Sequence, residues 1–396
     1  MSTFEVYQRQ LWDLSRRVNY RTPISRETEQ AYFATPRHLF VTRFREWGTA
    51  TWYHVTPDNL EQHLGALYAD RPLVLFGEDD NDLQSTISQP SFVLRMLDLL
   101  QLHPGQTVFE LGAGSGWNAA LIGHLVGLEG RVVGLEIIPE VAAMAADTIG
   151  SLGIRNVSIV TADGGDGFQA AAPFDRAVFT AGTYDLPRPF YGQLKEGGLL
   201  LSVIKIEGGG DSLFLLRKTA DHFESLHSMT CAFVQLRGKY QTAGFEPITV
   251  EGLPEWSDWR HREVSRRRFW WGGRGPEWFA WGTLGIRFFL AISEPTFRAF
   301  KTPPRGDGAP AEAYFGLYDE ARASLVIAKD DWLVAYGNQV AMERLLDKVR
   351  EWVELGMPTA ASFRLRVLLR DERVPAAENQ WTVTRQDSQF VWSLER

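Results

Sequence analysis

The order of apolar and polar positions divides the chain into three stretches. From about residue 105 to 206, short β-rich apolar runs alternate with segments whose apolar residues recur at helical spacing, the pattern of parallel strands joined by crossover helices. Strands are predicted over 107–111, 131–135, 157–161, 174–180 and 198–206. Helices are predicted over 117–127, 139–151 and 187–194, with Pro139 where a first helical turn tolerates proline. This order gives a doubly wound α/β sheet. Two further strands, near 212–217 and 231–236, follow on short links and are expected to be antiparallel and at an edge. Residues 1 to about 85 read as mainly helical and polar, an adaptor or cover, with a helix starting at Ser25 ahead of Glu27 and Glu29. After about residue 245 the alternation stops. There a helix over 339–355 puts Leu345, Val349, Trp352 and Val353 on one face and is ended by Gly356 and Pro358. Pro303, Pro304 and Pro310, with glycines at 306 and 308, mark 302–312 as an exposed loop.

Length supports this division, because 396 residues exceed what one hydrophobic core usually organises. The expected domains are 1–85, 86–245 and 246–396. With 44% apolar and 23% charged residues the composition is that of a globular chain. No apolar run approaches the roughly 20 residues that span a bilayer, and the N-terminus lacks the layout of a signal peptide. A soluble cytoplasmic protein, without a membrane partner and monomeric, is the expectation. Cys231 is the single cysteine, so no internal disulfide forms, and eight scattered histidines show no ligand spacing; no metal is expected. A net charge of −8 disfavours nonspecific attraction to nucleic acid.

Candidate chemistry begins at Glu110-Leu111-Gly112-Ala113-Gly114-Ser115-Gly116, a glycine-rich turn between a predicted strand and a predicted helix. Glycine there lets backbone approach a ligand closely and tolerates positive φ. The spacing is G-x-G-x-G, not the dinucleotide G-x-G-x-x-G, and alone it is weak. Glu136, followed by Ile137, ends the next strand, where a carboxylate can accept from both ribose hydroxyls. Asp163-Gly164 ends the third strand at the same edge and suits an adenine amino group. Three strand ends thus converge on one nucleoside-like ligand. Between a nicotinamide dinucleotide and S-adenosylmethionine, the glycine spacing favours the latter.

A wider set of residues carries a resemblance. Thr35 to Val41, Tyr68 to Leu73, Thr86-Ile87-Ser88-Gln89-Pro90, Val108 to Gly116 followed by Asn118 to Leu121, Asp163-Gly164, and Phe174-Asp175-Arg176 leading to Thr180-Ala181 together resemble the protein-L-isoaspartate O-methyltransferase family over about residues 26–240. The resemblance implies an α/β, Rossmann-like S-adenosylmethionine methyltransferase sheet, here with an N-terminal helical region and an additional C-terminal α+β domain. It implies methyl transfer to a side-chain carboxylate of a peptide or protein carrying Asp or isoAsp, leaving S-adenosylhomocysteine. Thr86 and Ser88 become active-site hydroxyls. Glu110, Gly112, Gly114, Gly116, Asn118, Glu136, Ile137, Asp163, Gly164 and Thr180 become cofactor contacts, and Ser88, Gln89, Ala181, Val234, Gln235 and Leu236 peptide contacts. By geometry alone Ser88 reads as a helix N-cap ahead of Pro90.

The chemistry agrees with what is missing. A carboxylate with a pKa of about 4 is ionised at pH 7 and needs no general base, so the absence of a His-Asp dyad is expected. The enzyme supplies positioning and exclusion of water. Departures from the family pattern fall on the peptide side: Ser91 where relatives often carry His or Tyr, Gln235 where they usually carry Pro, and an inserted acidic loop, Glu78 to Asp82. The stretch after 246 resembles extended members that methylate an aspartate of ribosomally made modified peptides, whose ester can cyclise to aspartimide. General repair of L-isoaspartate is the alternative, and a noncatalytic adenosine- or peptide-binding module is the alternative of another class.

In that last stretch, Arg260, Arg262, Arg266, Arg267, Arg268 and Arg274 interleave with Trp259, Phe269, Trp270 and Trp271. Three readings stand. Arginines cover a solvated face while the tryptophans pack; or the set grips an acidic peptide; or it binds nucleic acid, which the overall acidity disfavours. Trp278, Trp281, Phe288 and Phe289 are expected in the core.

Overall fold

The computed structural model describes residues 2–77, 83–208, 210–269, 284–301, 313–329 and 331–394. The loops 78–82 and 302–312, together with Trp270, Trp271, Arg274, Trp278 and Trp281, lie outside the described residues. The chain forms two compact units, Met1–Val203 with Phe214–Leu226 and Phe233–Gln241, and Ile204–Leu213 with His227–Ala232 and Thr242–Arg396.

In the first unit five parallel strands stand in the order Leu194–Ile204, Phe174–Phe179, Thr107–Leu111, Arg131–Glu136, Val157–Thr161. The Val-, Leu- and Phe-rich runs of the central strands are buried on both faces, as crossover helices require. The helices Trp117–Val126 and Pro139–Ser151 lie where helical spacing places them. The 187–194 segment shrinks to a four-residue helix, Phe190–Gln193. Strand order reverses between Thr107–Leu111 and Phe174–Phe179, so a crevice opens beyond their C-terminal ends, the usual ligand position in such sheets.

The N-terminal region carries helices Thr3–Val18, Arg26–Ala34 and Leu60–Leu67. Ser25 caps the second by accepting from Thr28 N at 3.2 Å. The region also holds what its pattern did not disclose, a small antiparallel sheet of Trp52–His54, Arg43–Arg45, Leu73–Gly77 and Leu83–Ile87. The last of these strands crosses the expected boundary at residue 85 and leads directly into Ser88.

Beyond the parallel sheet come Asp211–Lys218 and His222–Cys231. The second of these ends where a strand over 231–236 was expected to begin. Residues 233–237 instead form a strap whose one ladder contact is a bridge from Gln235 to Gly182.

In the second unit, Ile248–Thr249, Phe297–Lys301, Ala313–Asp319, Ser324–Lys329, Trp332–Tyr336 and Ser265–Arg268 form a six-stranded sheet in that order. The helix Val340–Glu354 packs against it and buries Leu345, Val349 and Trp352, while Val353 stays 40% exposed, one position round from the buried stripe. A separate cluster of Val250, Leu253, Phe300 and Tyr314 is covered by Trp256 and Trp259. Phe288 and Phe289 are buried, against Trp392 at 5.1 Å and Trp381 at 5.5 Å between ring centroids. Among the described residues no helix is long and apolar enough to cross a membrane, and no group of His, Cys, Asp or Glu has the arrangement of a metal site.

Candidate active site

The crevice is a cleft of about 880 Å³, open mouth included, built wholly from the first unit. One wall is the glycine turn. Gly112 and Gly114 have φ of +83° and +52°, a region that side chains with a Cβ seldom adopt. A Cβ on Gly112 would stand 2.9 Å from Thr180 Oγ1, which donates to the carbonyls of Leu111 and Gly112. A Cβ on Gly114 would stand 3.5 Å from the carbonyl oxygen of Thr86. The turn therefore lies between the end of the Phe174–Phe179 strand and the Thr86–Ser88 segment, with no room for a side chain at Gly112.

Two carboxylates lie beneath it. Glu136 is buried and accepts from Gly114 N at 2.9 Å and Ile138 N at 3.0 Å. Burial pushes its pKa up against these N–H groups. Glu110 is fully buried and accepts from Asn118 Nδ2 at 2.6 Å on Oε1, leaving Oε2 and Asn118 Oδ1 buried without partners. Burial raises Glu110 to about 8, opposed by the Asn118 bond and reinforced by Glu136. Both residues line the cleft.

The other wall comes from Thr86, Ile87 and Ser88, with Ala181 and the strap Phe233 to Arg237. Gly182 N donates to Val234 O at 2.7 Å and Leu236 N to Gly182 O at 2.8 Å, fixing the strap to the segment that follows the Phe174–Phe179 strand. Ser88 lines the cleft and is not a cap; Gln89 occupies the N-cap position of the Pro90–Leu99 helix and makes no side-chain cap bond.

Most residues singled out from the sequence meet here: Thr86, Ser88, Glu110, Gly112, Gly114, Asn118, Glu136, Ile137, Gly164, Thr180, Ala181, Val234, Gln235 and Leu236 all line the cleft. Three do not. Gly116 starts the Trp117–Val126 helix at φ +81°, where a Cβ would press on Ala145, so its task is packing. Gln89 turns its Nε2 to Asp70 at 3.1 Å. Asp163 accepts from Gly165 N at 2.9 Å and Lys239 N at 2.8 Å, so its carboxylate anchors the far end of the strap and Gly164 faces the cleft instead. Ser85, Trp117 and Arg237 were missed, whereas Ser115 lies in the glycine turn and Phe233 in the 231–236 segment, both singled out from the sequence.

The hydrogen-bond acceptors at the base of the cleft decide between the two cofactors considered. A pyrophosphate at this turn would face two buried carboxylates. A ligand bearing cationic groups and N–H donors satisfies Glu110 Oε2 and Asn118 Oδ1 without burying like charges together. The residues fit S-adenosylmethionine.

Comparison with known proteins agrees. The model of the family described as protein-L-isoaspartate(D-aspartate) O-methyltransferase matches residues 15–241. Protein-L-isoaspartate O-methyltransferase 2 of Archaeoglobus fulgidus is 31% identical over 240 residues, covering 60% of this chain and 96% of the relative. The protein-L-isoaspartate O-methyltransferase of Ignicoccus hospitalis is 33% identical over 211 residues, 53% of this chain and 89% of the relative. A solved protein-L-isoaspartate O-methyltransferase structure aligns over 91% of this chain and 96% of its own, with a TM-score of 0.54 at 20% identity, so the fold extends that likeness past residue 241. With a family match that spans the whole cleft and the sheet beneath it, the chain belongs to the S-adenosylmethionine-dependent protein-L-isoaspartate O-methyltransferase family.

Proposed function

We propose that the chain methyl-esterifies a carboxylate of a peptide or protein carrying isoaspartate, with Ser88 facing the acceptor and the glycine turn holding the donor. The observation that carries this reading is the closeness of the two walls: both line one cleft, and a Cβ added to Gly114 would stand 3.5 Å from the Thr86 carbonyl oxygen, so a donor cradle and a hydroxyl-bearing loop face each other. Bound S-adenosylmethionine supplies an electrophilic methyl group on a cationic sulfur. Glu136 accepts from the ribose, and Glu110 with Asn118 accepts from the amino-acid portion. The Ser88 hydroxyl donates to the acceptor's second carboxylate oxygen and so orients the first. No proton needs to be removed from an acceptor that is already ionised.

The test is incubation with methyl-labelled S-adenosylmethionine and an isoaspartyl hexapeptide beside its aspartyl counterpart, read by mass. The isoaspartyl peptide gains one methyl group. If the protein binds the cofactor but methylates neither peptide nor any protein offered, it is a binding module and the reading fails.

One set of observations favours a second, narrower reading, methylation of an aspartate in a modified ribosomal peptide, with the ester able to close to aspartimide. Gln235 lies on the peptide wall where the family usually has proline. Arg266, Arg267 and Arg268 are exposed on a terminal strand of the second unit's sheet, Arg266 paired with Glu263 and Arg268 beside Asp331, a basic strand that an acidic precursor could meet. Residues from 246 onward then serve substrate recognition. Turnover of a precursor peptide in preference to the isoaspartyl hexapeptide would establish this reading.

A further inference from the structure

The loop that presents Ser88 is held by two buried or half-buried charges from distant parts of the chain. Arg37 is fully buried and surrounded by carbonyls. Its Nη2 donates to Ser88 O at 3.2 Å, Arg71 O at 3.1 Å and, more weakly, Ile87 O at 3.4 Å, and its Nη1 donates to Leu67 O. Asp70 takes the opposite kind of group. Its carboxylate accepts from Ser91 N at 2.9 Å, Ser91 Oγ at 2.7 Å and Gln89 Nε2 at 3.1 Å. Burial pulls Arg37 down to about 10, while Tyr32, Asp70 and Tyr68 oppose the fall, so the guanidinium stays charged at neutral pH.

A cation therefore gathers the loop's carbonyls and an anion its N–H and O–H groups. The same segment reaches the donor wall. The Arg37 guanidinium stands 5.7 Å from the centroid of the Trp117 ring, and Trp117 Nε1 donates to Thr35 O at 2.9 Å. Trp117 opens the helix that follows the glycine turn.

We propose that Arg37 and Asp70 are positioning residues that hold the Ile87–Ser91 loop as a preformed acceptor platform and tie its place to the glycine turn through Trp117. Neither touches the reacting atoms. The proposal deepens the reading of Ser88 as acceptor-facing and rests on it. Several charge-assisted bonds to backbone groups fix the loop directionally, so it does not have to be ordered at the expense of peptide affinity.

Asp70→Asn keeps shape and removes the charge. It raises KM for the isoaspartyl peptide about tenfold, leaves the cofactor Kd within about twofold, and speeds amide hydrogen exchange over 87–91 in the peptide-free enzyme. Ser91→Ala, which keeps the N–H bond to Asp70, moves KM in the same direction by less. Arg37→Lys keeps the charge but loses the fork and raises KM further; where it fails to fold, the other two variants still decide. A merely structural role lowers thermal stability and the active fraction without moving KM. Unchanged KM and exchange in Asp70→Asn overturns the proposal, as does a parallel loss of cofactor affinity. Because exchange is measured without peptide, faster exchange in the variant beside a wild type that methylates nothing would sink the acceptor reading and leave the loop clamp standing.

Discussion

The two walls of the cleft are built by different means. The donor wall centres on one turn between a strand and a helix, with Glu110 in the strand that leads into it and Glu136 reaching Gly114 across 22 positions. The acceptor wall is assembled from afar, with Arg37 meeting Ser88 across 51 positions and Asp70 meeting Ser91 across 21. A wall whose shape comes from backbone geometry tolerates almost no change at its glycines. A wall set by side chains can be retuned for a new peptide while its frame is kept.

That contrast can be broken most severely at Gly112. Valine there must adopt φ near +83° beside Thr180 Oγ1, a strain of roughly 2–3 kcal/mol, so Gly112→Val weakens cofactor binding about a hundredfold by calorimetry while leaving loop exchange over 87–91 unchanged. Loss of both would show that the walls are one unit. Ser88→Ala acts on the other side alone: kcat/KM for the isoaspartyl peptide falls about tenfold, as for one hydrogen bond to a charged group, and the cofactor Kd holds.

The smallest effect sharpens the donor wall. Glu110 is raised to about 8 in the ligand-free protein, so its protonated form is the stabilised one. The stability it contributes is complete below the ordinary carboxyl pKa and is lost as pH rises through about 8. A cationic ligand reverses the preference, which makes cofactor affinity rise several-fold from pH 6 to 8. Glu110→Gln flattens that slope in a titration series; a slope that survives the substitution assigns it to another group.

The same contrast explains what could be read from the sequence. Strands such as Arg131–Glu136 were legible because parallel strands buried on both faces leave continuous apolar runs. The glycine turn was legible because its residues are neighbours. His222–Cys231 was not, since its half-exposed residues lack a clean alternation, while the apolar run after it belongs to a strap. The three-residue strands Arg43–Arg45 and Trp52–His54 are too short to show a period. Arg37 and Asp70 lie in segments that carry the family resemblance, but a charged residue met in sequence reads as solvated, and only tertiary structure gives these two their partners.

The strap's far anchor has a consequence for how the enzyme is made. Lys239 meets Asp163 across 76 positions, and the strap completes the acceptor wall. At about 5–20 residues per second, the sheet that holds the donor cradle, which ends at Ile204, leaves the ribosome roughly 2–7 seconds before the segment that closes the cleft. A nascent chain can thus bind its cofactor, and gain the stability that binding brings, before it has a finished place for a peptide.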